Sequence, residues 1–64
     1  MQTDSTTITV TLTNAQAWAF AEFLKRVGLD EFAALAVDQE EALAMLSAAA
    51  AIRQELANAG YAPR

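Results

Sequence analysis

The sequence predicts a mainly α subunit of β-α-α-α order, its single N-terminal strand paired with a copy of itself across a homodimer and its helices packed behind. Three observations predict this. Residues 6–12, Thr-Thr-Ile-Thr-Val-Thr-Leu, alternate polar and apolar side chains, the period of a half-buried strand. Everything after Asn14 carries helical spacing, with no second strand in the 64 residues. A lone strand leaves N–H and C=O groups unpaired along both edges, so the same strand from a second copy is the expected mate. The chain also needs such help. A domain of this length buries only about 60% of its unfolded surface, and with no Cys and no His it has neither disulfides nor the commonest metal ligands to compensate.

The strand places Ile8, Val10 and Leu12 on one face and Thr7, Thr9 and Thr11 on the other, and its β-branched residues suit a pleated surface. Thr13 with Gln16 three residues on forms a T-x-x-Q capping box, a helix start. That helix is expected to run to about Val27 and to stop at Gly28. At 100° per residue Phe20, Phe23, Leu24 and Val27 share a face, with Ala17 and Ala21 at its edge. Trp18 projects to the other side, among Glu22, Lys25 and Arg26. A shorter helix is expected over 29–37, with Asp30 as N-cap and Phe32, Leu35 and Ala36 on its apolar face. Asp38 opens the last helix, with Glu41 three residues later, and Gly60 ends it ahead of Pro63, as helix stop signals require. This helix carries two apolar seams: Met45, Ala49, Ile52 and Leu56 form one, and Leu43, Leu46, Ala50 and Ala57 the other. One seam suffices inside a small subunit, so the second is expected at the dimer contact. The alanine run at 48–51 permits close helix approach. The expected core is Ile8, Val10, Leu12, Phe20, Phe23, Leu24, Val27, Phe32, Leu35, Met45, Ile52 and Leu56. The whole of 1–64 reads as one domain, with 1–5 and 62–64 flexible.

Composition removes several function classes. Hydrophobic residues make up 55% of the chain, above the usual share of about 45–50%, which argues for an ordered fold. The net charge is −4 and the basic residues are only Lys25, Arg26, Arg53 and Arg64. Phosphate binding needs clustered Lys and Arg, so nucleic acid and anionic membranes are disfavoured. The start Met-Gln-Thr-Asp-Ser is polar, unlike a signal peptide. The longest apolar stretch, 42–52, is interrupted by Ser47 and falls short of the ~20 residues of a membrane span. A cytoplasmic protein of a bacterial host is the expectation.

Catalysis would have to rest on carboxylates. Asp30, Glu31, Asp38, Glu40 and Glu41 fall within twelve residues, with Glu22 and Glu55 elsewhere. Split carboxylate pairs can drive hydrolysis, but these acids sit at two helix starts, where the dipole favours negative charge. No D-x-D-x-D-G spacing marks a cation loop. Ser5 and Ser47 have no His partner, and no G-x-S-x-G or P-loop is present. The sequence therefore predicts no catalytic residues, no cofactor and no metal, and a protein that is not an enzyme.

Protein binding is the class that remains. Trp18 on a polar face is the best clue, since Trp is enriched among binding hot spots; packing against the last helix or a second subunit is the competing role. The acidic stretch 30–41 can face a basic groove or simply solvent. The candidate partner contacts are thus Trp18, Glu22, Asp30, Glu31, Asp38, Glu40 and Glu41. The candidate dimer contacts are Thr7, Ile8, Thr9, Val10 and Thr11 from the strand, with Leu43, Leu46 and Ala50 from the last helix.

Two resemblances add to this reading. The strand–helix–helix order over residues 6–50 resembles the ribbon-helix-helix repressors, whose paired strands enter the DNA major groove. That likeness implies base or phosphate contacts from Thr7, Thr9 and Thr11, although no Lys or Arg lies near them. Residues 7–12 (TITVTL), 17–28 (AWAFAEFLKRVG), 38–42 (DQEEA) and 60–64 (GYAPR) resemble short uncharacterised proteins of proteobacteria and their phages. This second likeness implies a phage or mobile-element setting without assigning an activity. Small acidic proteins of that setting look like inhibitors of host defence, anti-CRISPR proteins included. The leading expectation is a non-enzymatic accessory protein that binds an unidentified host or phage protein. The alternatives are a ribbon-helix-helix-like DNA-binding regulator and a purely structural oligomer.

Overall fold

The computed structural model describes residues 4–64, and within them the chain forms three helices: α1 (Asn14–Arg26), α2 (Leu29–Leu35) and α3 (Gln39–Asn58). The expected flexibility of residues 1–3 lies outside the described residues.

The expected strand does not form. Residues 4–13 have no regular structure, and there is no sheet among the described residues. The fold is mainly α, but not β-α-α-α. Alternation gives a segment two faces; a strand also needs a neighbouring backbone to receive its hydrogen bonds, and this chain offers none. The segment runs as an arm beside the helices. Its Ile8, Val10 and Leu12 overlook Phe20 of α1 and Ile52 and Leu56 of α3 across a shared groove. A ribbon-helix-helix protein pairs such strands between two copies; in this single chain no strand forms among the described residues.

Helix boundaries follow local chemistry closely. Thr13 is the N-cap of α1: its Oγ1 accepts from the Gln16 N–H at 3.1 Å, while Gln16 Oε1 accepts from the Thr13 N–H at 2.9 Å. Both orphan donors are thereby satisfied. The helix closes at Val27, whose N–H donates to the Phe23 carbonyl. Gly28 is not a left-handed stop. It is extended, at φ −128°, and serves as the N-cap of α2, which the sequence had assigned to Asp30. Glu31 Oε1 accepts from the Gly28 N–H at 2.6 Å. Asp38 caps α3 as expected, accepting from the Glu41 N–H at 2.8 Å.

The end of α3 is a Schellman closure. Gly60 adopts φ +103°; its N–H donates to the Ala57 carbonyl, and the Tyr61 N–H reaches back to the Leu56 carbonyl at 2.8 Å. This is the paired pattern in which a left-handed C′ residue satisfies two terminal carbonyls, and it needs glycine because L side chains disfavour positive φ.

α3 is the shared support: α1 and α2 each pack against it. Tyr61 hydrogen-bonds Asn14, so α3 ends where α1 begins and the two run antiparallel. The result is a flat body of 34 × 29 × 17 Å. Its buried core is small, consisting of Ala17, Ala21 and Leu24 from α1 and Ala42 from α3.

The expected core is therefore corrected in large part. Leu24 is buried, and Val27, Phe32, Met45 and Leu56 are half-buried, but Ile8, Val10, Leu12, Phe20, Phe23, Leu35 and Ile52 are exposed. α1 is rotated about its axis relative to the expectation. It meets α3 through the Ala17–Ala21–Leu24 stripe, where small side chains let backbones approach, and this turns Phe20 and Phe23 outward. Those two rings stack on each other instead, 5.6 Å apart and 20° from parallel.

Candidate functional site

Trp18 sits on the flank of α1 away from the phenylalanines and is 46% exposed. Its indole is neither core nor free. The Tyr61 ring meets it edge-on, 5.1 Å between centroids and 77° between planes, a favoured aromatic geometry. Tyr61 is held in turn at both ends. Its backbone is fixed by the Schellman closure, and its hydroxyl donates to Asn14 Oδ1 at 2.7 Å. Asn14, Trp18 and Tyr61 thus join the first turns of α1 to the chain end after α3. One turn along from Trp18, Glu22 accepts from the Arg26 guanidinium at 2.6 Å. This i,i+4 pair is solvated and contributes about 0.3–0.5 kcal/mol, so it trims the local charge more than it holds the fold.

The acids of 30–41 are divided between the two helix starts. Glu31, Asp38 and Glu41 accept backbone N–H groups of Gly28, Glu41 and Val37 respectively, at 2.6, 2.8 and 3.1 Å. Asp30 and Glu40 lie in the first turns of α2 and α3. Three of the five acids thus have a structural use. All five are exposed, and no group of three or more of the described Asp and Glu residues is placed to hold a metal ion.

The expected dimer residues separate into different places. Thr7, Ile8 and Val10 line a groove of about 970 Å³ between the arm, α1 and α3; Thr9 and Thr11 are exposed beside it. Leu46 and Ala50 instead line a cleft of about 410 Å³ with Phe32 of α2, Arg53 and Tyr61. The second seam of α3 therefore borders a cleft shared with α2 and the C-terminal tail, and Leu43, Leu46 and Ala50 are all exposed.

Phe20 and Phe23 are the surface residues of α1 that sequence reasoning placed in the core. The signal lay in the alanines, for Ala17 and Ala21 one turn apart offer a closer helix contact than the bulkier arc beside them. No described helix is long and apolar enough to cross a membrane.

A family model described as a family of unknown function, DUF7706, matches residues 1–64. No curated protein and no solved structure matches the chain.

Proposed function

We propose, for a chain that belongs to the DUF7706 family of unknown function, a non-enzymatic accessory protein that acts in the bacterial cytoplasm by binding another protein through the Trp18 patch. One observation carries the reading: a half-exposed indole braced by Tyr61, which is itself tied to Asn14. A large aromatic that is already ordered loses little freedom on binding, and this is what makes a hot-spot anchor effective. Glu22 and Lys25 lie on the same flank and supply a polar rim. The lack of His and Cys and the use of acids as caps support a role without catalysis. The phage or mobile-element setting, with inhibition of a host defence system as its outcome, belongs to the same proposal and rests on the likeness of the TITVTL, AWAFAEFLKRVG and GYAPR segments.

The experiment compares the intact chain with Trp18→Ala as baits in bacterial lysate, then measures the recovered protein by titration. Trp18→Ala is expected to weaken binding at least about 30-fold, corresponding to a hot spot of ~2 kcal/mol, with helix content retained. Equal affinity for both baits removes Trp18 from the site. Expression beside a defence system is expected to raise phage plating, and unchanged plating with every system tried removes the anti-defence role.

A further inference from the structure

The apolar surface of this molecule lies mostly outside its core. Among the described residues only four are buried and three of them are alanines, while Ile8, Val10, Leu12, Phe20, Phe23 and Ile52 are all more than 40% exposed. These six share one side. The arm, Phe20 and Ile52 line the 970 Å³ groove, whose only charged lining residue is Glu55. Phe23 stacks on Phe20 and continues the surface past Ala19 toward Leu35. We propose that this face is covered by a second copy of the same chain, docked through side chains.

The area supports that occupant. A folded monomer of 6.8 kDa is expected to expose about 4,000 Å²; this chain exposes 5334 Å². The excess of about 1,300 Å² is summed over the whole chain, Trp18, Val37 and Leu43 included, and it is larger than the roughly 800 Å² that each partner of a standard interface buries. Shape agrees. The radius of gyration is 13.1 Å, against about 10.7 Å for a compact domain of this length. The thinnest dimension, 17 Å, shows a flat body whose broad side is left uncovered.

The chemistry selects a copy of this chain over a charged partner. The chain carries a net charge of −4, yet its acids at 30–41 and Glu22 do not line the groove. The extension toward Leu35 adds Arg26 and Glu31, one charge of each sign, so two copies meeting here bring few like charges together, and a basic partner finds only Glu55 and Glu31 to pair with. A two-fold arrangement matches an apolar patch to itself. Thr7, Ile8 and Val10 of the expected dimer contact belong to this face and are joined there by Phe20 and Ile52, whereas Leu43, Leu46 and Ala50 do not line the groove. Trp18 is two residues from Phe20, about 200° around the helix, so the pairing leaves the Trp18 patch accessible. This proposal stands or falls separately from the protein-binding role.

The test is sedimentation equilibrium of the full chain at micromolar concentration. The expected mass is twice 6.8 kDa. Phe20→Glu and Ile52→Glu are each expected to weaken the pairing at least about 100-fold, because each places a charge in a desolvated contact. Leu43→Glu, exposed elsewhere, is expected to leave it unchanged. Should either groove variant lose its helix content, isotope-filtered contacts in a mixed-label sample of the unaltered chain decide the matter. Intermolecular contacts are expected between the Ile8 or Ile52 methyls and the Phe20 or Phe23 rings. A monomer mass, with or without a foreign protein in the groove, overturns the proposal. So does a dimer whose intermolecular contacts lie at Leu43 or Trp18.

Discussion

Replacing Ala21 by Leu should lower the unfolding temperature by about 8–16 °C. Ala21 is wholly buried, at 0% exposure, in the middle of α1, on the stripe that packs against α3. A leucine there adds three carbons where the methyl already has no free surface. Had space been present, each added carbon would have gained about 0.8 kcal/mol from burial. Without it, α1 must lift from α3, and overpacking of this kind costs about 1–3 kcal/mol. For a domain of this size each kcal/mol moves the midpoint by about 4–8 °C, so a central cost of ~2 kcal/mol gives the stated range. The loss is serious because one small core rarely supplies more than about 3–5 kcal/mol. The assay is thermal circular dichroism at one fixed protein concentration, since any self-association makes the midpoint concentration-dependent. Ala44→Leu is the control. It makes the same chemical change at an exposed position of α3 and should stay within about 0.5 kcal/mol of the parent. If Ala21→Leu melts at or above the parent temperature, α1 and α3 are not in close alanine contact.

Two further substitutions probe the helix ends. Thr13→Ala removes the side-chain half of the capping box; it should cost about 1 kcal/mol and speed hydrogen exchange at the Gln16 amide, which loses its acceptor. Gly60→Ala should cost about 1–2 kcal/mol, although no atom lies within 4 Å of an added Cβ, because the penalty comes from φ +103° alone. It should also shift Trp18 emission toward that of a fully hydrated indole as Tyr61 moves away, and an unchanged spectrum would show that the Schellman closure does not position Tyr61.

Features decided within four or five residues were legible in the sequence. The Thr13–Gln16 box, the Asp38 cap and the Gly60 stop each depend on neighbours along the chain, and each is in place. Gly28 misled because glycine is as acceptable before a helix as after one; the two roles differ only in backbone angles, set here by Glu31 closing onto its N–H. The arm and the rotation of α1 were not legible, for a common reason. Alternation at 7–12 and the arc from Ala17 through Phe20 to Val27 show where apolar atoms lie, but not which backbone comes to meet them. The apolar arc of α1 is wide, and the alanine edge won because it permits the closer approach to α3. Trp18 stood out by its position among charged residues, and Tyr61 beside the Gly60 stop reads as a tail residue folded back onto the body; its specific partner, Asn14, lies 47 positions away and was not legible.

The way α1 and α2 each lean on α3 and not on one another bears on how the molecule comes apart. With α3 as a common trunk, the two branches meet only across a shallow hollow lined by Phe23, Phe32 and Leu35. α1 brings three buried residues to the trunk, whereas α2 spans seven residues and buries none of its own. Local opening is governed by buried apolar contact, so α2, although it lies close along α3, is expected to exchange its amides faster than α1. Its opening would widen the cleft lined by Phe32, Leu46 and Ala50 while leaving the α1–α3 pair, and the Asn14–Tyr61 clasp at its far end, in place.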